Sequence, residues 1–358
     1  MSVQTVHISL LKQFLIGFLL LLVILIAIEG IARFYESQEL PCHFIGKDAF
    51  GEIDSSIQKQ VCNDSRNLLW TEPDILRYIP DQHFDTININ SYGFRGPEII
   101  DKNSDDAFRI FIVGGSTTFG SGSTSDNETI PGQLQQFFNQ HEKNVEVINA
   151  GIGSGYSYTE KFLIKNDLIN LNPDLILVYT GGNDSHRPII YPTVTVGDYG
   201  INIKDIRFWR TPFVISDLFI ETTRYETTNV ELDRDFINKK ITFWKNNMND
   251  ICKTASENDI KTIVTLHPIL ATSEKIFSND ESEYMKKDDF QTTDVVLEIF
   301  NGIGTQLPQL ETSCDVTADL RNIFKNNPEP IFFDEAHINN EGNKIVAQKL
   351  FEIIDPHV

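Results

Sequence analysis

Between Phe108 and Leu266, short apolar runs alternate with longer amphipathic stretches. Short runs without regular polar alternation are typical of strands buried on both faces. The predicted strands are Phe108–Val113, Val145–Ile148, Leu175–Tyr179 and Thr262–Leu266. The predicted helices are Ile130–His141, Thr159–Leu171 and Asp235–Glu257. Strands that alternate with helices in this way predict a mainly parallel sheet covered by helices on both faces.

Local signals mark the helix boundaries. Pro131 lies near the start of the first helix, where Asn127 and Thr129 are candidate caps. The second helix ends before Asn172-Pro173, because proline disfavours a helical conformation in the residue before it. Right-handed crossovers place the carboxyl ends of parallel strands at one edge of the sheet, which is where such sheets bind ligands. We therefore expect the functional residues there.

The amino-terminal region contains a continuous apolar segment. Every residue from Phe14 to Ile28 is apolar or glycine, and Leu10–Ala32 exceeds the roughly 20 residues needed to cross a bilayer. This stretch is longer than a usual signal core, and Gly30-Ile31-Ala32 is a poor cleavage site, so an uncleaved anchor is favoured over a signal peptide. Either alternative places the rest of the chain outside the cytoplasm. Lys12 and the nearby amino terminus favour a cytoplasmic amino end.

The composition argues against nucleic acid as a partner and against a bound metal. The 358 residues include 51 acidic against 30 basic side chains, a formal net charge of -21, which argues against nucleic acid as a partner. Cys42 and Cys62 flank a short loop just past the apolar segment and could pair in an oxidising compartment. Cys252 and Cys314 complete the set of four. No cysteine or histidine spacing indicates a metal site, so we expect no metal and no cofactor.

Polar or glycine-rich sequences follow three of the predicted strands. They are Gly114-Gly115-Ser116-Thr117, then Asn149 to Gly155, then Thr180-Gly181-Gly182-Asn183-Asp184. Near the carboxyl terminus, Ile331-Phe332-Phe333 leads into Asp334-Glu335-Ala336-His337, and Lys344–Ile354 is a predicted final helix. Taken singly, Asn183 is as well explained by a cap or turn, and His337 by a helix start.

Together these residues predict nucleophilic chemistry on an ester. A serine hydroxyl becomes a good nucleophile when an imidazole takes its proton, and a carboxylate then fixes the imidazole tautomer. The predicted catalytic residues are Ser116, His337 and Asp334. The oxyanion formed by attack needs preset donors. The predicted donors are the main-chain N–H of Ser116, a main-chain N–H in the Gly153–Gly155 turn, and the side-chain amide of Asn183.

The ordered set of motifs resembles the four blocks of the SGNH (GDSL-type) hydrolase family. The blocks are Gly-Gly-Ser116, Asn149-x-Gly151, Gly-x-Asn183-Asp184 and Asp334-x-x-His337, and the resemblance runs from about Phe108 to the end of the chain. It implies a three-layer α/β/α sandwich with a mainly parallel, flavodoxin-like sheet. It also implies the catalytic and oxyanion roles given above for the same residues.

The second block departs from the family pattern. It reads Gly151-Ile152-Gly153-Ser154-Gly155, so its register is ambiguous by one residue. The oxyanion donor could be Gly153, Ser154 or Gly155, and we choose Gly155. Gly115 stands where many members carry aspartate, although many membrane-anchored members also look like Gly-Gly-Ser-Thr.

The chain divides into three predicted parts. Residues 1–35 form a cytoplasmic stub and transmembrane anchor, 36–107 a lead-in segment that packs on the core, and 108–358 the hydrolase domain. Insertions near 188–234 and 269–293 follow strand ends, where loops can cover a pocket and choose its ligand. Arg95 in the lead-in segment is expected to form a structural ion pair rather than an anion site, and Asp184 is expected to bond loop backbone.

These observations predict a serine esterase that hydrolyses or transfers an acyl group through an acyl-Ser116 intermediate. The resemblance extends to members that act on acylated polysaccharides, so O-acetyl groups on extracellular glycans are the expected substrate. The alternatives are a lipase-like or general carboxylesterase, or a catalytically idle module that binds glycans or serves assembly. The predicted location is the cell membrane, with a single pass and an extracytoplasmic catalytic domain. The acyl group, the choice between hydrolysis and transfer, and the oligomeric state stay open.

Overall fold

The computed structural model describes residues 9–38, 42, 44–71, 75–101, 107–186, 211, 234–286 and 294–358. The chain forms two compact units. One comprises Met1–Leu40 with Tyr199–Val230, and the other comprises Pro41–Asp198 with Glu231–Val358. Of the insertion predicted near 188–234, only residues 211 and 234 belong to the part that is described.

The first unit contains helix α1, Leu10–Gln38. Its apolar stretch Leu10–Phe34 has 25 residues and a mean hydropathy of 2.9, and all of it except Glu29 and Ala32 is exposed. Among the described residues it is the one helix able to cross a membrane by length and composition. A signal sequence meets the same criteria. Toward its end, Glu29 pairs with Arg33 at 2.9 Å and accepts hydrogen bonds from the main chain and hydroxyl of Thr211.

The second unit is built on a parallel five-stranded sheet. Its strands are β1 (Phe108–Gly114), β2 (Val145–Gly151), β3 (Leu175–Thr180), β4 (Lys261–Leu266) and β5 (Val316–Asp319). Their order across the sheet is β2-β1-β3-β4-β5, which is the flavodoxin-like order, so the predicted fold class is confirmed. In the pairing register, Gly114 lies opposite both Gly151 and Tyr179, which brings the carboxyl ends of β1, β2 and β3 level.

Helices cover both faces of this sheet. Their bounds are α2 (Ser55–Asn67), α3 (Ser116–Phe119), α4 (Ile130–Gln140), α5 (Ser157–Asn166), α6 (Gly182–His186), α7 (Arg234–Ser256), α8 (Asn279–Tyr284), α9 (Asp294–Gln306) and α10 (Asn340–Ile354). Alternate strand residues face opposite cores: Phe111 and Val113 pack with α5, α7 and α9, whereas Ile110 and Ile112 pack with α4 and α10. This alternation follows the two-residue period of a strand.

The helices begin and end close to the predicted residues, with two differences. Thr129 caps α4 by accepting from the Gly132 N–H at 3.1 Å, as its position predicts. The predicted helix Thr159–Leu171 is instead α5 followed by a 3₁₀ turn, Leu168–Leu171. The final helix begins four residues earlier than predicted, because the Asn339 side chain accepts from the Gly342 N–H at 2.9 Å and caps it.

The described part of the lead-in segment is bonded to the sheet unit at several points. Two short antiparallel pairs, Trp70–Thr71 with Arg77–Tyr78 and Gln82–His83 with Asn88–Ile89, form its regular structure. Arg95 is buried and pairs with Asp126 at 2.7 Å while donating to main-chain carbonyls of the α3 turn and of Thr86. The expected structural ion pair is therefore confirmed.

Two disulfides join the four cysteines. Cys42 pairs with Cys62, as expected from the loop they flank, and Cys252 pairs with Cys314. The second disulfide links α7 to the chain just before β5. It therefore lies at the amino edge of the sheet, opposite the edge at which the polar strand ends meet.

Candidate active site

Ser116 is presented by a tight turn between β1 and α3. The strand ends at Gly114, Gly115 precedes the helix, and Ser116 is its first residue, half-buried at the carboxyl edge of the sheet. A Cβ at position 115 would lie 2.6 Å from the Asn183 amide nitrogen and 3.1 Å from the Gly155 carbonyl oxygen. Glycine is required here because two other strand ends approach the backbone this closely.

His337 reaches Ser116 across 221 residues of sequence. Its Nε2 lies 2.7 Å from the Ser116 hydroxyl, and its Nδ1 lies 2.7 Å from Oδ2 of Asp334. A carboxylate only accepts hydrogen bonds, so Nδ1 carries the proton and Nε2 is free to accept from the serine hydroxyl. The structure thus brings the three predicted catalytic side chains into one hydrogen-bonded chain.

The loop that carries His337 is closed by Asp334. Its Oδ1 accepts from the main-chain N–H groups of Ala336 and His337, at 2.8 and 2.7 Å. One carboxylate therefore folds the loop with one oxygen and orients the imidazole with the other. The short spacing in Asp334-x-x-His337 is what allows both tasks.

The environment of His337 pulls its pKa in two directions. Burial is the largest effect and lowers the pKa, but the charge and hydrogen bond of Asp334, with a contribution from Glu335, outweigh it. The net result is a pKa raised above the ordinary value of 6.5. The imidazole is therefore a stronger base than a free histidine.

Asn183 is the second residue of α6 and lies just after the end of β3, as predicted. Its amide nitrogen donates to the Gly155 carbonyl at 2.6 Å. The amide has two N–H groups, so one remains for a ligand beside Ser116. This contact joins the ends of β2 and β3 at the serine.

The three residues considered as the main-chain donor of the second block differ in hydrogen bonding and exposure. The Gly153 N–H donates to the hydroxyl of Tyr78 at 3.0 Å, and the Gly155 N–H donates to the Ile152 carbonyl at 3.0 Å. Ser154 lies between them, exposed and with a left-handed φ of 61°. The choice of Gly155 stays a prediction.

Asp184 anchors the helix that carries Asn183. Its buried carboxylate accepts from the Ser157 N–H at 3.0 Å and from the Ser157 hydroxyl, so it bonds loop backbone as expected. The Asn247 amide donates to the same hydroxyl at 2.9 Å. Burial raises the pKa of Asp184 to about 6, against the opposing effects of the Ser157 bonds and the Lys240 charge.

The place of His267 after a predicted strand favours an exposed loop position over a place in the pocket lining, but the structure buries this side chain. His267 accepts from the Gly182 N–H at 3.0 Å and so fixes the residue before Asn183. Burial lowers the pKa of His267 to about 4, which keeps this ring neutral and able to accept. The nearest signal in the sequence is its place directly after β4.

Glu281 secures the segment that leads into Asp334. One oxygen accepts from the Ile331 and Phe332 N–H groups at 3.0 Å each, and the other pairs with Lys275 at 2.8 Å. Both charged side chains are fully buried. Leu270 adds a main-chain bond to the Glu335 carbonyl at 2.8 Å. The described part of the insertion near 269–293 therefore supports the His337 loop.

Comparisons with known proteins place the chain in a family. The model of the GDSL-like lipase/acylhydrolase family matches residues 110–350, which is more than half of the chain. An acetyl xylan esterase of known structure is 17% identical, with 69% of this chain and 99% of that chain covered and a TM-score of 0.41. A GDSL-like lipase from Bacteroides thetaiotaomicron is 15% identical, with 72% and 93% covered and a TM-score of 0.41.

At these identities and TM-scores the structural likenesses do not bear on the substrate. No curated protein shows a significant match to the chain. The family match stands by itself, and it spans β1, with Ser116 after it, through most of the final helix beyond His337. The chain belongs to the GDSL-like lipase/acylhydrolase family.

Proposed function

We propose that this hydrolase is a serine esterase that cleaves or transfers ester-linked acyl groups through an acyl-Ser116 intermediate. The observation that carries the proposal is the contact of 2.7 Å between Nε2 of His337 and the Ser116 hydroxyl, with Asp334 on the opposite ring nitrogen. A neutral imidazole held in this way can take the serine proton as the hydroxyl attacks an ester carbonyl.

His337 then passes the serine proton to the leaving group. After attack, the imidazolium of His337 is stabilised by Asp334 and donates its Nε2 proton to the departing alcohol, which leaves the acyl group on Ser116. A water molecule, or another alcohol in the transfer reaction, repeats the attack with His337 again as base. The acyl group leaves with the acceptor, and Ser116 regains its hydrogen.

Negative charge develops on the ester oxygen during each attack. The proposed donors are the main-chain N–H of Ser116, the second N–H of the Asn183 amide, and the main-chain N–H of Gly155, which would exchange its bond to the Ile152 carbonyl for one to the oxyanion. The N–H groups of the first helical turn lack partners within their helix, which favours the first of these. The Ser116 and Asn183 donors are in place before the reaction, so they stabilise the oxyanion without reorganisation.

The raised pKa of His337 predicts the acid limb of the pH profile. The base must be neutral, so kcat/KM should rise with pH through a pKa above 6.5 and be lost below it. Asp334→Asn removes the charge that raises this pKa, so the limb should move to lower pH. The loss of activity should be smaller than for His337→Ala. Initial rates between acidic and mildly alkaline pH test this, and an unmoved limb in Asp334→Asn would contradict the assigned pairing.

The proposed substrates are O-acyl groups such as acetyl on glycans outside the cell, because an extracytoplasmic esterase meets acylated surface polysaccharides. A lipase-like or general carboxylesterase is the first alternative, and an idle glycan-binding or assembly module is the second. A series of p-nitrophenyl esters, from acetyl to long acyl chains, tests these with the full-length protein in detergent. Highest kcat/KM on acetyl favours the first proposal, preference for long chains favours a lipase, and turnover of none favours the idle module.

We also propose the organisation and location of the chain. Residues 1–35 would form a cytoplasmic stub and single-pass anchor, 36–107 the lead-in segment, and 108–358 an extracytoplasmic hydrolase domain with insertions near 188–234 and 269–293. Two disulfides and a long apolar helix are typical of such a protein. Protease applied to intact cells should digest the domain and spare the amino terminus. Digestion of neither would contradict the topology.

A further inference from the structure

A small hydrophobic cluster lies directly behind the imidazole of His337. We call it the Phe333 cluster, and its buried members are Phe44, Ala49, Phe50, Val61, Cys62 and Phe333. Phe333 belongs to the His337 loop, and its ring lies parallel to the imidazole at 12°, with centroids 5.7 Å apart. This offset contact supports the ring that must meet the Ser116 hydroxyl.

The ring of Phe333 is held by two others. Phe50 and Phe44 meet it edge-on, with centroids 5.2 and 5.7 Å away, and stack on each other at 4.9 Å. On another side, a Cβ at Gly122 would lie 2.7 Å from its ring. Phe333 therefore has little room to shift unless Phe44 and Phe50 move.

Phe44 and Phe50 lie within the loop closed by the Cys42–Cys62 disulfide. Apart from the 3₁₀ turn Asp48–Phe50, the described chain between Cys42 and α2 has no regular structure, and its own main-chain hydrogen bonds join residues only three positions apart. The Gln58 amide donates to the Phe50 carbonyl at 3.0 Å. From the His337 side, the Asn339 amide donates to the Ala49 carbonyl at 2.8 Å. The disulfide is the covalent closure of this loop.

We propose that the loop closed by Cys42–Cys62 is a positioning element for His337, acting through Phe333, and that it makes catalysis sensitive to thiol reduction. The proposal rests on the esterase function proposed above. An intact disulfide keeps Phe44 and Phe50 against Phe333, and Phe333 keeps the imidazole aimed at Ser116. Opening the disulfide loosens this packing and misaligns the base.

The reduction needs a dithiol such as dithiothreitol. Its thiolate attacks one sulfur of the disulfide, its second thiol resolves the mixed disulfide, and two protein thiols and the cyclic oxidised reagent result, with two electrons transferred. Cys42 is half-buried and its partner Cys62 is 5% exposed, whereas Cys252 and Cys314 are 0% and 5% exposed, so the first disulfide offers one accessible sulfur side. Mild reduction should therefore open Cys42–Cys62 before Cys252–Cys314.

Paired variants separate the two disulfides. In the full-length protein, Cys42→Ser/Cys62→Ser should lower kcat about tenfold or more, because small displacements of catalytic groups are costly. Cys252→Ser/Cys314→Ser should lower the melting temperature and leave kcat within about twofold, because it lies at the opposite sheet edge. Mild dithiothreitol should lower the wild-type kcat and leave the kcat of Cys42→Ser/Cys62→Ser unchanged.

Phe333→Leu tests the route through the cluster with the disulfide intact. It should lower kcat to a similar extent. Combined with Cys42→Ser/Cys62→Ser it should lower kcat little further, because both changes act on the same contact between Phe333 and His337. Full additivity, or a wild-type kcat in the Cys42→Ser/Cys62→Ser variant, would overturn the proposal. If that variant does not fold, reduction of the wild-type protein and Phe333→Leu decide the matter.

A readout independent of turnover separates this proposal from the esterase function. In protein labelled at histidine, the NMR resonance and pKa of His337 should change in Cys42→Ser/Cys62→Ser and stay at wild-type values in Cys252→Ser/Cys314→Ser. If the wild-type protein hydrolyses no ester, the esterase function fails while this spectrum still reports the support of His337. If the wild-type protein is an active esterase and the His337 resonance is unchanged in Cys42→Ser/Cys62→Ser, the positioning role is refuted and the esterase function is not.

Discussion

Ser116→Ala is expected to lower kcat for ester hydrolysis by at least about 10⁴-fold and to leave the melting temperature close to that of the wild type. The variant lacks the oxygen that would carry the acyl group, so only the oxyanion donors and substrate binding remain to assist water. The hydroxyl is half-buried and its loss leaves the surrounding backbone contacts in place. Initial rates on p-nitrophenyl acetate and a thermal unfolding curve measure both quantities.

Ser313→Ala is the matched control for this experiment. Ser313 is a half-buried serine that bonds Asn249 near the amino edge of the sheet, and its replacement should leave kcat within about twofold. A Ser116→Ala protein that keeps wild-type kcat would exclude Ser116 as the nucleophile. Activity and melting temperature that fall together would indicate a structural role instead.

Asn183→Ala is expected to lower kcat by about 10²–10³-fold with a similar KM. The amide would bond the oxyanion more strongly than the ground-state carbonyl, so its loss acts on the transition state. The bond from this amide to the Gly155 carbonyl, 2.6 Å long, also disappears, so the loop after β2 loses one of its ties to the serine.

Asn258→Ala is a suitable control, since this exposed asparagine bonds only its own helix end at Thr254. It should leave kcat and KM unchanged. An Asn183→Ala protein that raises KM and keeps kcat would show that the amide binds substrate uniformly and would contradict its assignment to the oxyanion.

The sequence was sufficient to predict the parts of the fold that have strong local patterns. Strands β1 to β4 are mainly apolar runs bounded by glycine, asparagine or proline, and each was predicted to within three residues at either end. Strand β5 was missed, because Val316–Asp319 has four residues that are half-buried or exposed and no apolar run. Such a strand is specified by pairing with β4, which a local pattern does not reveal.

The candidate site shows the same division. Ser116, Asn183, Asp334 and His337 follow strand ends in recognisable blocks, and the structure brings them together. Glu281 and Phe44 support the His337 loop from 50 or more residues away, so only tertiary contacts reveal them. The sequence does not decide which main-chain N–H of the Gly153–Gly155 turn faces the oxyanion. A stretch made only of glycine and serine gives no side-chain pattern that fixes its register.

The most direct test of the central claim is covalent labelling of the full-length protein with a fluorophosphonate, followed by peptide mapping. Such a reagent phosphonylates a serine whose hydroxyl is activated by a neighbouring base. We expect a single labelled site at Ser116, with no labelling in Ser116→Ala and much slower labelling in His337→Ala. No labelling of the folded wild-type protein, or labelling at another serine, would contradict it.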